Sequence, residues 1–180
     1  LSHIREVNAI VQVVRCFENG DIHHVAGTID PVRDIETITT ELVLADLATL
    51  EKQRATKEKK ARVGDAESKT EIALIDRLLP HLNDGKPALT LDVSDAEAKL
   101  LKGFFLLTNK PTIFACNVAE DELGTATQKP DGHPHVAAVM KYAREHHGAG
   151  ACVISAAIEE EMIDLSAEDA AEYLAGIGAE

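Results

Sequence analysis

The residues of this chain best placed to read a ligand are Asn117, Val118, Ala119 and Glu120, which follow the apolar run Ile113 to Cys116. The run predicts a buried strand from Thr112, and the polar tetrad predicts the loop at its carboxyl end. A second segment has the same form: Ala151-Cys-Val-Ile-Ser155, then Ala156 and Ala157. In an open parallel sheet, loops at the carboxyl ends of strands are where ligands bind. One Asn amide both donates and accepts, whereas an ionised carboxylate only accepts. A purine needs an apolar slot for its faces and a few polar groups for its edge. Guanine offers donors at N1 and at the 2-amino group, which a short carboxylate can accept together. Adenine has an acceptor at N1 and no 2-amino group. Glu120 sets its carboxylate one methylene farther out than an Asp would, which disfavours the guanine geometry. The backbone at Val118 and around Ala156 is then left to read an adenine edge. Asn-x-x-Glu alone occurs by chance in many chains, and its plainer reading is a surface loop after a strand. The order strand, Asn-x-x-Glu, helix, strand, Ser-Ala is more specific.

The elements that must position these loops follow from periodicity and caps. Ala9 to Phe17 is nearly continuous apolar and rich in β-branched residues, as expected of a strand covered on both faces. Asp30-Pro31 starts a helix, with Asp30 as cap and Pro31 at the first helical position. Ile35, Ile38, Leu42 and Ala45 recur at helical spacing. Gly64-Asp65 breaks the pattern, and Ala66 to Leu82 resumes it with Ile72, Ile75, Leu79 and Leu82 on one stripe. Two such helices joined by a short polar turn make an antiparallel hairpin. Leu89 to Leu91 reads as a short extended piece. Ser94-Asp-Ala-Glu97 is a capping box. Asp121 to Gly132 reads as a loop, Pro134 to Gly148 as a helix, and Ser166 starts the last one. The fold class expected is α/β: part of a parallel sheet with an inserted α-helical hairpin. The divisions expected are an α/β domain over 1–43, the hairpin insertion over 44–107, and the second part of the α/β domain, with the ligand loops, over 108–180.

The formal net charge is −13, which argues against non-specific nucleic-acid binding by the whole chain. Positive charge is concentrated at the hairpin tip, where Lys52, Arg54, Lys57, Lys59, Lys60 and Arg62 stand against Glu51 and Glu58. The plainer reading is a solvated helix end. The functional one is a contact for RNA or another polyanion. Residues 156–180 carry eight acids and no Lys or Arg. No apolar run approaches the roughly 20 residues needed to cross a bilayer, and no signal peptide is visible. Cys16, Cys116 and Cys152 lie in predicted strands without Cys-x-x-Cys spacing, which suggests reduced core thiols and a cytoplasmic protein. His23-His24, His146-His147, His133 and His135 read as solvent-exposed histidines, and no metal site is expected. The chain opens at Leu1 in mid-pattern and ends without a clear stop, as a fragment would.

Taken in order, these segments resemble the Obg-like ATPase (YchF) family, a branch of the P-loop GTPases. Leu1-Ser-His-Ile-Arg-Glu-Val7 resembles the helix after that family's second switch, and Val13-Val-Arg-Cys-Phe17 its next strand. Asp30-Pro31, Asp34-Ile-Glu36, Thr40-Glu41-Leu42 and Leu44-Ala-Asp-Leu47 resemble the helix entering its coiled-coil insertion. Asn109-Lys-Pro111, Asn117-Val-Ala-Glu120 and Ser155-Ala-Ala157 with Glu159 match its base-reading segments. The resemblance implies a ribosome-associated, ATP-preferring hydrolase, able also to take GTP, that uses Mg²⁺. It implies nucleotide contacts from Asn117, Val118, Glu120, Ser155, Ala156 and Ala157, and a ribosomal or RNA contact through the basic tip. No Gly-x-x-x-x-Gly-Lys-Ser/Thr occurs here, so the P-loop, the metal ligands and the family's TGS domain lie outside this chain. Such a chain is expected not to hydrolyse ATP by itself. The alternative is a helical interaction module with no catalysis of its own.

Overall fold

A computed structural model describes residues 2–18, 29–146 and 150–179. Residues His23, His24 and His147 fall outside this range. The chain forms two compact units. One comprises Leu1–Ile10 and Glu36–Pro111, the other Val11–Ile35 and Thr112–Glu180.

The second unit is built on three strands in the order β1 (Ile10–Arg15), β2 (Thr112–Asn117), β3 (Ala151–Ile154). β2 and β3 are parallel, with Phe114 opposite Ala151 and Asn117 opposite Ile154. Ile10 N donates to Pro111 O at 3.0 Å and Cys16 N to Asn117 O at 2.8 Å, so β1 and β2 also advance in step. The connection from β2 to β3 passes through α5 (Leu123–Gln128) and α6 (Pro134–His146). Val136, Val139, Tyr142 and Ala143 turn one face of α6 into a core with Val14, Phe114 and Cys116. Phe114 and Tyr142 meet edge to face, with ring centroids 6.2 Å apart, the arrangement that ring quadrupoles favour. After β3 come α7 (Ala156–Met162) and α8 (Ala167–Gly176), the latter capped by Ser166, whose Oγ accepts from Asp169 N.

Several expectations change here. Among the described residues β1 is not covered on both faces: Val11 and Val13 are 63% and 61% exposed, and Ile113 on β2 is 43% exposed. Its apolar run is what double coverage needs, but the core cluster lies on the pleat that carries Val14, Phe114 and Cys116. Cys152 is likewise exposed, whereas Cys16 and Cys116 are buried. The hydrogen bond with Cys116, and then burial, push the Cys16 thiol well above its ordinary range, so it stays protonated near neutral pH. The Asp121–Gly132 stretch is not a plain loop. It folds as a 3₁₀ turn (Glu120–Glu122), α5 and a second 3₁₀ turn (Pro130–Gly132). Leu123 and Ala126 are buried, and Gly124 packs so closely that a Cβ there would sit 2.1 Å from Ile177 O. Only glycine fits.

The first unit contains α1 (Ser2–Arg5), most of α2 (Pro31–Arg62), α3 (Ala66–Asn83) and α4 (Asp95–Lys102). α2 and α3 pair in antiparallel fashion. Arg54 bonds Asp76 at 2.6 Å and, one turn farther along α2, Lys57 meets Glu71 at 2.6 Å, more than a turn earlier on α3. Between them lie Val43, Leu50, Leu74, Ile75, Leu78 and Leu82. The buried stripes are therefore shifted from those predicted: Ile38 is 46% exposed, while Val43 and Leu74 are inside. Asp65 caps α3 by accepting from Ser68 N at 3.1 Å, and the Ser94–Glu97 capping box is present on α4. Ala88–Thr90 is a 3₁₀ turn, not the extended piece its alternation predicts. Just after it, Leu91 N bonds back to Ala88 O.

A buried carboxylate organises the end of this unit. Asp46, with no exposed surface, accepts from Leu107 N, Thr108 N and Thr108 Oγ1, each at 2.8 Å. Arg5 Nη1 lies 3.6 Å from it. Thr108 Oγ1 in turn accepts from Ala88 N at 2.9 Å.

Candidate functional site

The carboxyl ends of β2 and β3 place the tetrad and the Ser155 loop side by side. The Asn117 side chain spans the gap: its Oδ1 accepts from Ala156 N at 2.8 Å. This fixes the amide orientation and ties the two loops together. Val118 continues the ladder, donating its N–H to Ile154 O at 2.9 Å, and the whole residue, backbone included, is 2% exposed. The N–H groups of Val118 and Ala156 are thus both engaged. The Val118 carbonyl shares that residue's burial, so Val118 shapes the loop and presents little to a ligand. Ser155 is 1% exposed, and its Oγ is a buried polar atom without a partner among the described residues. A buried hydroxyl left unpaired costs free energy, and with almost no surface of its own it lies behind the loop, out of a ligand's direct reach. Ala156 and Ala157 are exposed at the start of α7, and Glu120 is exposed with no partner for its carboxylate among the described residues.

One residue here was not singled out from the sequence. Glu122 Oε2 accepts from Ala119 N at 3.3 Å, while Glu122 N donates to Ala119 O at 3.1 Å. This reciprocal closure turns the chain immediately after Val118 and sets the origin of the Glu120 side chain. The spacing, a carboxylate three residues after the turn's first residue, is the signal that could have identified it. Glu122 is also 3.5 Å from His133 Nε2, and His133 Nδ1 accepts from Val136 N at 3.4 Å at the start of α6. His133 is 12% exposed. It is a half-buried, helix-capping histidine and not a solvated one.

The acceptor open to a ligand at this site is the exposed Glu120 carboxylate, which suits an exocyclic amino group, and Ala156 and Ala157 are the exposed small apolar residues at the start of α7. A carboxylate for an amino group and small apolar residues for a ring are groups of the kind that a purine needs. Among the described residues no group of three His, Cys, Asp or Glu side chains could hold a metal ion. No described helix is long and apolar enough to cross a membrane.

At the hairpin tip, cations expected to be available are partly committed. Arg54 and Lys57 pair across the hairpin, and Arg62 pairs with Glu58 at 3.0 Å on its own helix. Lys52, Lys59 and Lys60 have no ion pair among the described residues.

No protein-family model matches the chain. It is similar to the ribosome-binding ATPase YchF of Haemophilus ducreyi (strain 35000HP / ATCC 700724), at 40% identity over 180 residues, all of this chain and 47% of that protein. It is 38% identical to the ribosome-binding ATPase YchF of Bacillus subtilis (strain 168) over 178 residues, 99% of this chain and 47% of that one. It is 34% identical to Obg-like ATPase 1 of Oryza sativa subsp. indica over 176 residues, 97% of this chain and 43% of that one. Among solved structures, the Schizosaccharomyces pombe YchF GTPase superposes with a TM-score of 0.81 at 30% identity, over 99% of this chain and 48% of that one. The chain spans about half the length of the relatives it matches.

Proposed function

Because the chain belongs to the YchF, or Obg-like ATPase, family along its length, we propose that it is the base-recognition half of a ribosome-associated P-loop ATPase that can also take GTP. The observation that carries this reading is the Asn117 Oδ1 to Ala156 N bond at 2.8 Å, which joins the two loops a purine would touch. In this reading Glu120 accepts from the adenine amino group, and Val118 and Ser155, both buried, hold the shape of the two loops behind the base. Ala156 and Ala157 line the base. The nucleotide's phosphates and Mg²⁺, which supply the charge and polarisation for hydrolysis, are held by segments other than those described.

The test is Glu120→Asp in a complete protein carrying this chain. Shortening the side chain by one methylene is expected to lower the ratio of ATP to GTP affinity by about tenfold, the scale of one discriminating hydrogen bond. Titration of both nucleotides with an unchanged ratio would remove Glu120 from base reading. In the same assay the 180-residue chain alone is expected to release no phosphate from ATP with Mg²⁺, and turnover by a clean preparation would overturn the assignment of hydrolysis to other segments.

A second reading, a helical module that contacts ribosomal RNA or protein, is favoured by Lys52, Lys59 and Lys60, which form no close ion pair among the described residues, although the charge of Lys60 is felt by Asp65. Reversing these three to Glu is expected to weaken ribosome binding and to reduce its salt slope by about one for each phosphate that is no longer neutralised. Unchanged pelleting with ribosomes across a salt series would leave the tip as solvated surface. Lys57 is a poor choice for this test, because reversing it sets two carboxylates together at Glu71.

A further inference from the structure

The hairpin unit contains an apolar cavity of about 740 Å³ that uses none of the base-site residues. Leu101 and Leu106, both buried, form its floor. At its mouth Val7, Leu89 and Phe105 are 43%, 40% and 60% exposed. Apolar surface left in water is a standing source of binding free energy.

Phe105 is held at this mouth by its backbone. Its φ is 54°, in the left-handed region, and it is the one non-glycine residue with positive φ among those described. Side chains rarely adopt this conformation, and it persists where the surroundings impose it. Here Arg5 Nη1 donates to Phe105 O at 3.0 Å, Gln53 Nε2 donates to Phe104 O at 3.0 Å, and Asp46 accepts from Leu107 N. Phe104 is thereby buried and Phe105 turned out.

The charge at the mouth is positive in a chain whose net charge is −13. Arg5, Lys102 and Lys110 line the cavity with one carboxylate, Glu6, and because Arg5 is balanced by the buried Asp46 at 3.6 Å, the excess rests on Lys102 and Lys110. Lys110 Nζ donates to Arg5 O at 3.0 Å and to Val7 O at 2.7 Å, which fixes its ammonium group at the rim. Lys102 is exposed and has no ion pair among the described residues.

We propose that this cavity docks an acidic segment of a partner protein, which inserts one bulky aliphatic or aromatic side chain beside Phe105 and sets its carboxylates against the rim at Lys102. A protein segment is favoured over RNA because the interior is aliphatic, with one ring at the rim. Single-stranded RNA calls for successive stacking surfaces along a positive groove.

The test uses the 180-residue chain and fluorescein-labelled peptides of about 12 residues, a length that spans such a cavity in extended form, read by anisotropy. One set has a single central Leu or Phe among Asp, Glu, Ser and Gly. A second replaces that anchor with Ser. A third replaces the acids with Lys. The anchored acidic set is expected to bind, and loss of the anchor to weaken binding by about tenfold or more, the scale of burying one large apolar side chain. Lys102→Glu, on the exposed face of α4, is expected to weaken binding about tenfold and to flatten its salt dependence. Phe105→Ser is expected to have a similar effect, and circular dichroism of both variants guards against unfolding. The proposal is overturned if no anchored acidic peptide binds at about 1 mM, or if the basic set binds equally well. It is also overturned if oligo(U) or oligo(A) binds this mouth in preference to the peptides, which would assign the surface to RNA.

Discussion

Asp46→Ala is expected to destabilise the hairpin unit by about 3–5 kcal/mol, the range for breaking a buried, hydrogen-bonded charge. Its carboxylate accepts from Leu107 N, Thr108 N and Thr108 Oγ1, all at 2.8 Å, in a site with no exposed surface. Alanine leaves those donors without an acceptor, and each buried unpaired group costs about 1–3 kcal/mol. It also leaves Arg5, 3.6 Å away, without its counter-charge. Asp46→Asn is expected to fall between the two, since one amide oxygen can still accept while the amide NH₂ faces other donors. Urea unfolding followed by circular dichroism reads the total. Hydrogen exchange at the Leu107 and Thr108 amides reads the cause: protection there should collapse in the alanine variant. A loss below about 1 kcal/mol, the scale of one ordinary hydrogen bond, would mean that water or a local shift replaces the carboxylate.

Asn117→Ala, in a complete protein carrying this chain, is expected to weaken ATP and GTP alike by about tenfold to a hundredfold. The substitution removes the acceptor at 2.8 Å from Ala156 N and with it the tie between the two base loops. Because the loss is in positioning, it should not favour one base. That equal loss separates Asn117 from Glu120, whose replacement should change the ratio of the two affinities. Titration with fluorescent analogues of both nucleotides gives the two numbers. Retention of full affinity would place the base elsewhere and leave the amide a structural tie between loops.

The sequence by itself determined what depends on neighbours within a few residues. The Asp30 cap, the Ser94–Glu97 box and the Gly64-Asp65 break are local hydrogen bonds and backbone preferences, and each stands where its residues place it. The strand ends that carry Asn117 and Ser155 were equally legible, because an apolar run stopping at a polar loop is a one-dimensional pattern. Tertiary structure decided the rest. Leu123 and Ala126 are too sparse a pattern to announce α5, whose packing rests on Gly124 against Ile177 O, fifty-three residues later (177 − 124). The basic tip reads as six available cations until Asp76 and Glu71 are brought across the hairpin to Arg54 and Lys57. Val118 reads as a free backbone until β3 arrives to take its N–H. Asp46 reads as one more polar residue on a long helix, yet its partners lie 61 and 62 residues away. In each case the missing information was which distant group would occupy a polar atom, and only chain folding, which sets the company each polar atom keeps, could supply it.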